Sequence, residues 1–440
     1  DGTNYLVVWV DTRGSSSSIY GSRVSVNGEI LDPAGIFIAE NVYDSQQPSV
    51  AFDGTNYLIV WESFPVELEY IMGYYESRLL GARVGKNGKI LDADAFEISK
   101  VVIGYRDQSP EVVFNGSSFM VVWTARTCEY DNSPPHPSGW SCYQDRKGVN
   151  VLKDGTVSEK SVFEIKGASD SGIACGKSNC LFVWREDYDS KITGILLSGK
   201  FDRVGSGDIL ITESAYTYDF PPSVAFDGEN YMVFWSEDYG HSINGVRITD
   251  DGVLLDKGTR INYGANDPNL RDVVFDGENY LLVWEGGRSA DSSRLDIYGA
   301  SVATDGTVLC EEDMIFSADE AQEAAPAVAS SGDGKSIIVY QHFDERNNFN
   351  TYRIAARLVD PDINAFSDWD NAKPDEDFEN PIIDEDAENI GDYDIFSPNS
   401  DGDEIESDED SFLDLDAGPD DDTTDSEKKG SGCSITIFAN

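Results

Sequence analysis

The sequence predicts an all-β chain: a β-propeller of about seven four-stranded blades, followed by an acidic disordered tail. Three observations point there. A unit of roughly 50 residues recurs along the first four-fifths of the chain. Each unit is divided into short apolar runs by Asp-Gly or Asn-Gly turns. One run in every unit is apolar on both of its alternating faces, which requires burial on both.

The recurring run is Asp1–Trp9 (DGTNYLVVW), Asp53–Trp61, Asn115–Trp123, Asp227–Trp235 and Asp276–Trp284, with a weaker copy over Gly176–Trp184 and a last one over Asp333–Tyr340. In Asn56–Trp61, Tyr57, Ile59 and Trp61 share one face while Leu58 and Val60 share the other. An apolar run such as Pro48–Phe52 precedes it, and a third and fourth follow, as in Ile19–Val24 and Glu29–Ile38. Four short strands per unit, the second buried on both faces, fit sheets stacked radially around an axis. A β-sandwich or a linear solenoid is the competing architecture. The second and third runs occur seven times and the first and fourth six times, because the chain opens inside a unit. A strand near the C-terminus could supply the missing first strand and close the ring. Six blades is the alternative count.

Of 440 residues, 82 are acidic and 32 basic, a formal charge of −50 that opposes nucleic acid and anionic lipid as partners. No apolar run reaches the roughly 18 residues of a membrane span. The acids concentrate after Pro361, where 27 face only three lysines. Residues 1–360 are therefore expected to form the propeller, 361–429 an acidic low-complexity tail that cannot fold alone, and 430–440 a separate Gly-Cys terminus.

Cys175 and Cys180 replace the positions of Phe52 and Tyr57, which flank a hairpin turn and face each other across two strands. A disulfide is expected there, and a second between Cys128 and Cys142, which bracket a long insertion at residues 124–145. The pattern implies an oxidising compartment and a secreted or bacterial cell-surface location.

Phe52–Trp61 and Ile19–Asp32 resemble the repeats FDGTNYLVVWxDxR…IYGxRV…LD of exported delta-proteobacterial proteins, over about residues 1–360. The resemblance implies a secreted or surface binding scaffold. Lys428–Ile435, with Gly432-Cys433, looks like the C-terminal sorting signals of such proteins, which would make Cys433 an anchor or processing point. Asn399–Asp408 is similar to thrombospondin type 3 loops, so Asp401, Asp403 and Asp408 are candidate Ca²⁺ ligands, against a plain disordered spacer.

No GxSxG, HExxH or phosphate-binding loop is present, and only three histidines exist. No cofactor is required by any motif, and no catalytic residue is assigned. Binding residues are expected on the second-to-third-strand loops, which emerge on one face. The candidates are Glu62, Tyr74, Tyr75, Arg126, Tyr130, Trp140, Glu186, Glu237 and Glu285, for a glycan or protein ligand. A glycoside hydrolase using carboxylates of that face, and a structural spacer or adhesin, are the alternatives.

Overall fold

The computed structural model describes residues 1–11, 17–40, 48–63, 77–100, 105–131, 139–186, 191–213, 221–237, 242–257, 259–260, 266–287, 294–309, 313–318, 322–344, 351–359 and 435–438. Every regular element among them is a strand. One compact unit comprises Asp1–Phe378 with Gly432–Asn440; a second, Glu379–Ser431, lies outside the described residues.

In chain order, blade 1 contains β1 (Asn4–Asp11), β2 (Ser18–Ser25) and β3 (Ile36–Ala39). Blade 2 contains β4 (Ser49–Phe52), β5 (Asn56–Ser63), β6 (Arg78–Gly85) and β7 (Phe96–Glu97). Blade 3 contains β8 (Tyr105–Phe114), β9 (Phe119–Asp131), β10 (Gly139–Val151) and β11 (Val157–Lys166). Blade 4 contains β12 (Ala168–Cys175), β13 (Cys180–Glu186), β14 (Ile192–Leu197) and β15 (Arg203–Thr212). Blade 5 contains β16 (Ser223–Phe226), β17 (Asn230–Glu237), β18 (Ser242–Thr249) and β19 (Thr259–Arg260). Blade 6 contains β20 (Asn266–Phe275), β21 (Asn279–Gly287), β22 (Leu295–Ala303) and β23 (Met314–Ser317). Blade 7 contains β24 (Glu323–Ser330), β25 (Ser336–Asp344) and β26 (Thr351–Val359).

A final strand, β27 (Ile435–Phe438), returns to blade 1 and pairs antiparallel with β1, Leu6 opposite Phe438 and Trp9 opposite Ile435. Each blade is an antiparallel meander. The first strands of blades 2–7 and β27 contact one another in cyclic order, so they line the axis and the ring is closed. The C-terminal segment read from sequence as a separate terminus thus supplies the missing innermost strand. Seven buried apolar clusters, one between each pair of neighbouring blades, hold the described ring together. Tyr57, Ile59 and Trp61 enter the cluster shared with blade 1, whereas Leu58 and Val60 enter the one shared with blade 3.

The repeat motif is explained by its bonds. The Asp53 carboxylate accepts the N–H groups of Thr55 and Asn56 at 2.7 Å, and Gly54 takes φ 90°, which completes the turn. The following tyrosine reaches backwards: Tyr57, Tyr231 and Tyr280 donate to the carbonyls of Asn4, Asn179 and Asn230 in the preceding blade, at 3.4, 2.6 and 3.2 Å. The third-strand arginine reaches forwards. Arg23, Arg83 and Arg247 clasp Asp32, Asp92 and Asp256 of their own blades, and donate Nη1 to the carbonyls of Lys86, Lys153 and Thr304 in the next. At the equivalent position in blade 3, Asn150 donates to the Gly199 carbonyl of blade 4 at 2.9 Å.

Candidate functional site

The second strands end beyond their tryptophans, so the residues expected on loops lie instead on strand ends. The residue after each tryptophan points to the opposite side of the sheet, into the next blade. Glu62 is consequently fully buried, and its Oε1 accepts from Arg106 Nε of blade 3 at 2.8 Å. Burial pushes its carboxyl pKa up, with Arg106 opposing. Glu285 is 3% exposed, paired with Arg271, and its Oε2 accepts from the Ala325 N–H of blade 7 at 2.8 Å. Glu186 accepts from the Thr193 hydroxyl at 2.7 Å, and Glu237 from the Asn244 amide. These four carboxylates are bonded within the fold rather than presented on loops. Tyr74 and Tyr75 lie outside the described residues, as do Asp401, Asp403, Asp408 and Cys433.

The insertion of blade 3 is a β-ribbon rather than a loop. Paired residues run from Arg126 opposite Gln144 out to Asp131 opposite Gly139. In blade 2 the corresponding strands stop at Ser63 and Arg78. Six further residues per strand, at about 3.3 Å each, carry the ribbon roughly 20 Å past the neighbouring strand ends. Cys142 is disulfide-bonded and stands opposite Cys128 in register, although the Cys128 side chain lies outside the described ones. Tyr130 and Trp140 are also directly opposite, and their side chains are likewise outside the description. Tyr143 is 57% exposed, and half-buried Arg126 makes no ion pair among the described residues. Next door in blade 4, the expected Cys175–Cys180 disulfide is present across the β12–β13 turn.

Sequence reasoning missed a second group, on the axis. Glu111 of β8 pairs in register with Val122, and Asp272 of β20 with Val283; each partner immediately precedes a tryptophan. The two carboxylates therefore occupy one level of the ring, on blades 3 and 6. Burial pushes Glu111 up to about 7, Arg146 and the Ser171 hydroxyl pull it down, and Asp170 and Asp272 push it further up. Ser171 Oγ donates to Glu111 Oε1 at 2.9 Å. Burial likewise raises Asp272 to about 6, against the N–H groups of Val328 and Val273, which donate to it at 3.0 and 2.8 Å. Register shifts interrupt the same stretch of β8, β12, β20 and β24, and Ser109, Asp170 and Ala325 there have φ of 50°, 31° and 52°. The available sequence signal was positional: three residues before the first-strand aromatic stand Ser49 and Ser223 in two blades, but Glu111 and Asp272 in two others. Among the described residues, no three His, Cys, Asp or Glu side chains converge as a metal site, nor is any helix long and apolar enough to cross a membrane.

No protein-family model and no curated protein matches the chain. Similar solved structures include a protein of unknown function from Dyadobacter fermentans, with TM-score 0.44 and 12% identity over 71% of this chain and 93% of that one. Hydrazine synthase from Kuenenia stuttgartiensis gives 0.42 and 15%, covering 70% and 79%. A GH43_1 enzyme from Xanthomonas citri, complexed with xylose, gives 0.35 and 9%, covering 61% and 91%. At these values the likeness carries no argument about activity, and the propeller is read from the sheet topology itself.

Proposed function

We propose that this protein is a non-enzymatic, extracellular binding module, secreted or held at a bacterial surface, that grips a glycan or a surface protein with the ribbon side of the ring. The observation that carries this reading is the ribbon. A two-stranded projection of roughly 20 Å, rooted in blade 3, carries backbone pairing well past the strand ends of the neighbouring blade. Exposed Tyr143 and Arg126, which makes no ion pair among the described residues, suit stacking and polar contact with such a ligand. The disulfide chemistry supports an oxidising compartment. The test is an array of glycans and bacterial envelope polymers, run with Ca²⁺ and with EDTA. Saturable binding that falls at least tenfold in Tyr143→Ala and Arg126→Glu is expected. Binding untouched by either substitution overturns the ribbon as the contact surface. Loss with EDTA would bring the tail acids Asp401, Asp403 and Asp408 into the reading.

The axial pair favours a second reading, glycoside hydrolysis. A carboxyl held near pKa 7 beside another carboxylate is the pairing that general acid and base roles need. Turnover of model glycosides, abolished by Glu111→Gln and by Asp272→Asn but retained in Tyr143→Ala, would establish it over the first.

A further inference from the structure

The end of the propeller opposite the ribbon is formed by the first-to-second and third-to-fourth strand turns. These are short and uniform, with Gly54, Gly88, Gly155, Gly228, Gly252, Gly277 and Gly306 all at positive φ. Their charges are segregated. Over blades 2–4 the turns carry Lys86, Lys89, Lys153, Lys177 and Lys200, all exposed, against Asp53, Asp154 and Asp202; Asp53 is buried in its own turn. Over blades 5 and 6 they carry Asp227, Glu229, Asp250, Asp251, Asp276, Glu278 and Asp305 against one exposed lysine, Lys257, while Arg247 reaches the Thr304 carbonyl from its clasp with Asp256. A chain of net charge −50 has thus gathered exposed lysines onto one half of one face. Apolar side chains accompany both halves: Leu91 and Leu152 beside the basic one, Val253, Leu255 and Leu309 beside the acidic one, each at least 40% exposed.

We infer that this face is an interface between two copies of the chain. A patch that is basic on one side and acidic on the other is self-complementary. A two-fold axis lying in the face and passing between blades 4 and 5 lays blades 4 and 3 of each copy on blades 5 and 6 of its partner, with blade 2 over blade 7. The exposed leucines then meet across the contact and are removed from water, and the opposed charges fix the register. The glycine turns keep the surface low enough for close approach. An anionic polymer on the lysines alone would leave the acidic half and its three apolar residues unexplained.

The experiment is light scattering and sedimentation of the full chain at 150 mM NaCl, from about 1 to 200 μM. A concentration-dependent mass rising from 48.4 kDa to twice that value is expected, and about 1 M NaCl should return it to the single-chain mass because the contact is built on charge. Lys89→Glu/Lys177→Glu/Lys200→Glu and Glu229→Lys/Asp251→Lys/Glu278→Lys each reverse exposed side chains on opposite halves. Each triple variant should be monomeric alone, and an equimolar mixture of the two should restore a dimer. Unchanged melting temperatures confirm that both fold. A monomeric natural chain across this range overturns the inference. So do dimers that persist in both variants, or lysine-dependent binding of an anionic polymer by a monomer.

Discussion

Removing the guanidinium of Arg83 tests how the blades are held in register. Arg83 Nε and Nη2 donate to Asp92 at 3.1 and 2.7 Å, and Nη1 donates to the Lys153 carbonyl of blade 3 at 2.9 Å. The Arg83 and Asp92 side chains are only 17% and 15% exposed, so Arg83→Ala leaves a largely enclosed carboxylate with just the Arg83 N–H as donor. A net hydrogen bond to a charged group contributes about 1.5–3 kcal/mol, whereas an exposed ion pair contributes about 0–1. The clasp falls between these limits, at about 2 kcal/mol. Unfolding entropy is about 2.1 cal/mol/K per residue, hence roughly 0.75 kcal/mol/K for a ring of about 360 residues, so the melting temperature should drop by about 3 °C. Scanning calorimetry reads this directly. Asp92→Ala should cost less, and the double variant less than the sum, with a coupling of about 1 kcal/mol. Arg203→Ala is the control: its pair with Asp208 is 54% and 49% exposed, and its removal should change the melting temperature by under 1 °C. A shift for Arg83→Ala no larger than the control, with no coupling to Asp92, would refute the clasp.

Glu111 sits near pKa 7 in the fold against 4.5 for an ordinary glutamate, so the folded state retains a proton that the unfolded chain has released. That stabilisation is complete below about pH 4 and disappears as the pH rises through 7. Melting temperature measured from pH 5 to 8 should fall more steeply in the natural protein than in Glu111→Gln; parallel curves would show that Glu111 does not titrate there. Replacing both Cys175 and Cys180 with serine should cost about 2 kcal/mol in the chain-entropy model for so short a loop, and the pair Cys175→Phe/Cys180→Tyr should recover part of it through the aromatic contact that Phe52 and Tyr57 make in blade 2. Deleting Ile435–Phe438 uncovers the inner edge of β1, and hydrogen exchange of Leu6–Trp9 should then accelerate more than that of Leu58–Trp61; equal protection would mean that β27 does not seal the ring.

How far the sequence could be read depended on whether a property repeats. Tyr57 and Leu58 sort to opposite interfaces because the apolar alternation recurs in every unit. The Cys175–Cys180 bond was visible because two positions, already placed opposite each other by the repeat, changed together. Glu62 and Glu285 were misplaced because alternation does not say how far a strand runs past its tryptophan, and Arg106, the partner of Glu62, comes from the next blade. The ribbon escaped because 124–131 carries little apolar pattern; the pairing of β9 with β10 supplies what the side chains do not advertise. A closing strand near the C-terminus was legible, but Ile435–Phe438 stands 76 positions after Val359 and carries none of the repeat motif that would mark it as that strand.

Departures from the repeat are most numerous in blades 3 and 4, although Ser301 stands at the clasp position of blade 6 and blade 7 has no tyrosine at the backward-reaching position. Blade 3 has the ribbon, Glu111, the strained Ser109 and Asn150 in place of the clasp arginine. Blade 4 has the disulfide, Leu196 at that same clasp position, Ser171 donating to Glu111, and Asp170 paired with Arg185 while its charge raises the Glu111 pKa. Elsewhere the rules that stabilise the ring account for most of the residues they touch: aspartate turns, backward tyrosines and forward arginines. Where a rule is abandoned, its stabilisation is forgone, and something else must hold the interface. Between blades 3 and 4 this is the apolar cluster around Phe163 and Phe182, with the Asn115 and Asn150 amides both donating to the Gly199 carbonyl and Ser171 donating to Glu111 at the axis. A ligand that uses the ribbon root would therefore press on the least regular interface of the propeller, and binding there should reach Glu111 through Arg146 and Ser171. Ligand-induced change in the Glu111 titration, absent in Ser171→Ala, would trace that route; a titration indifferent to ligand would confine recognition to the ribbon.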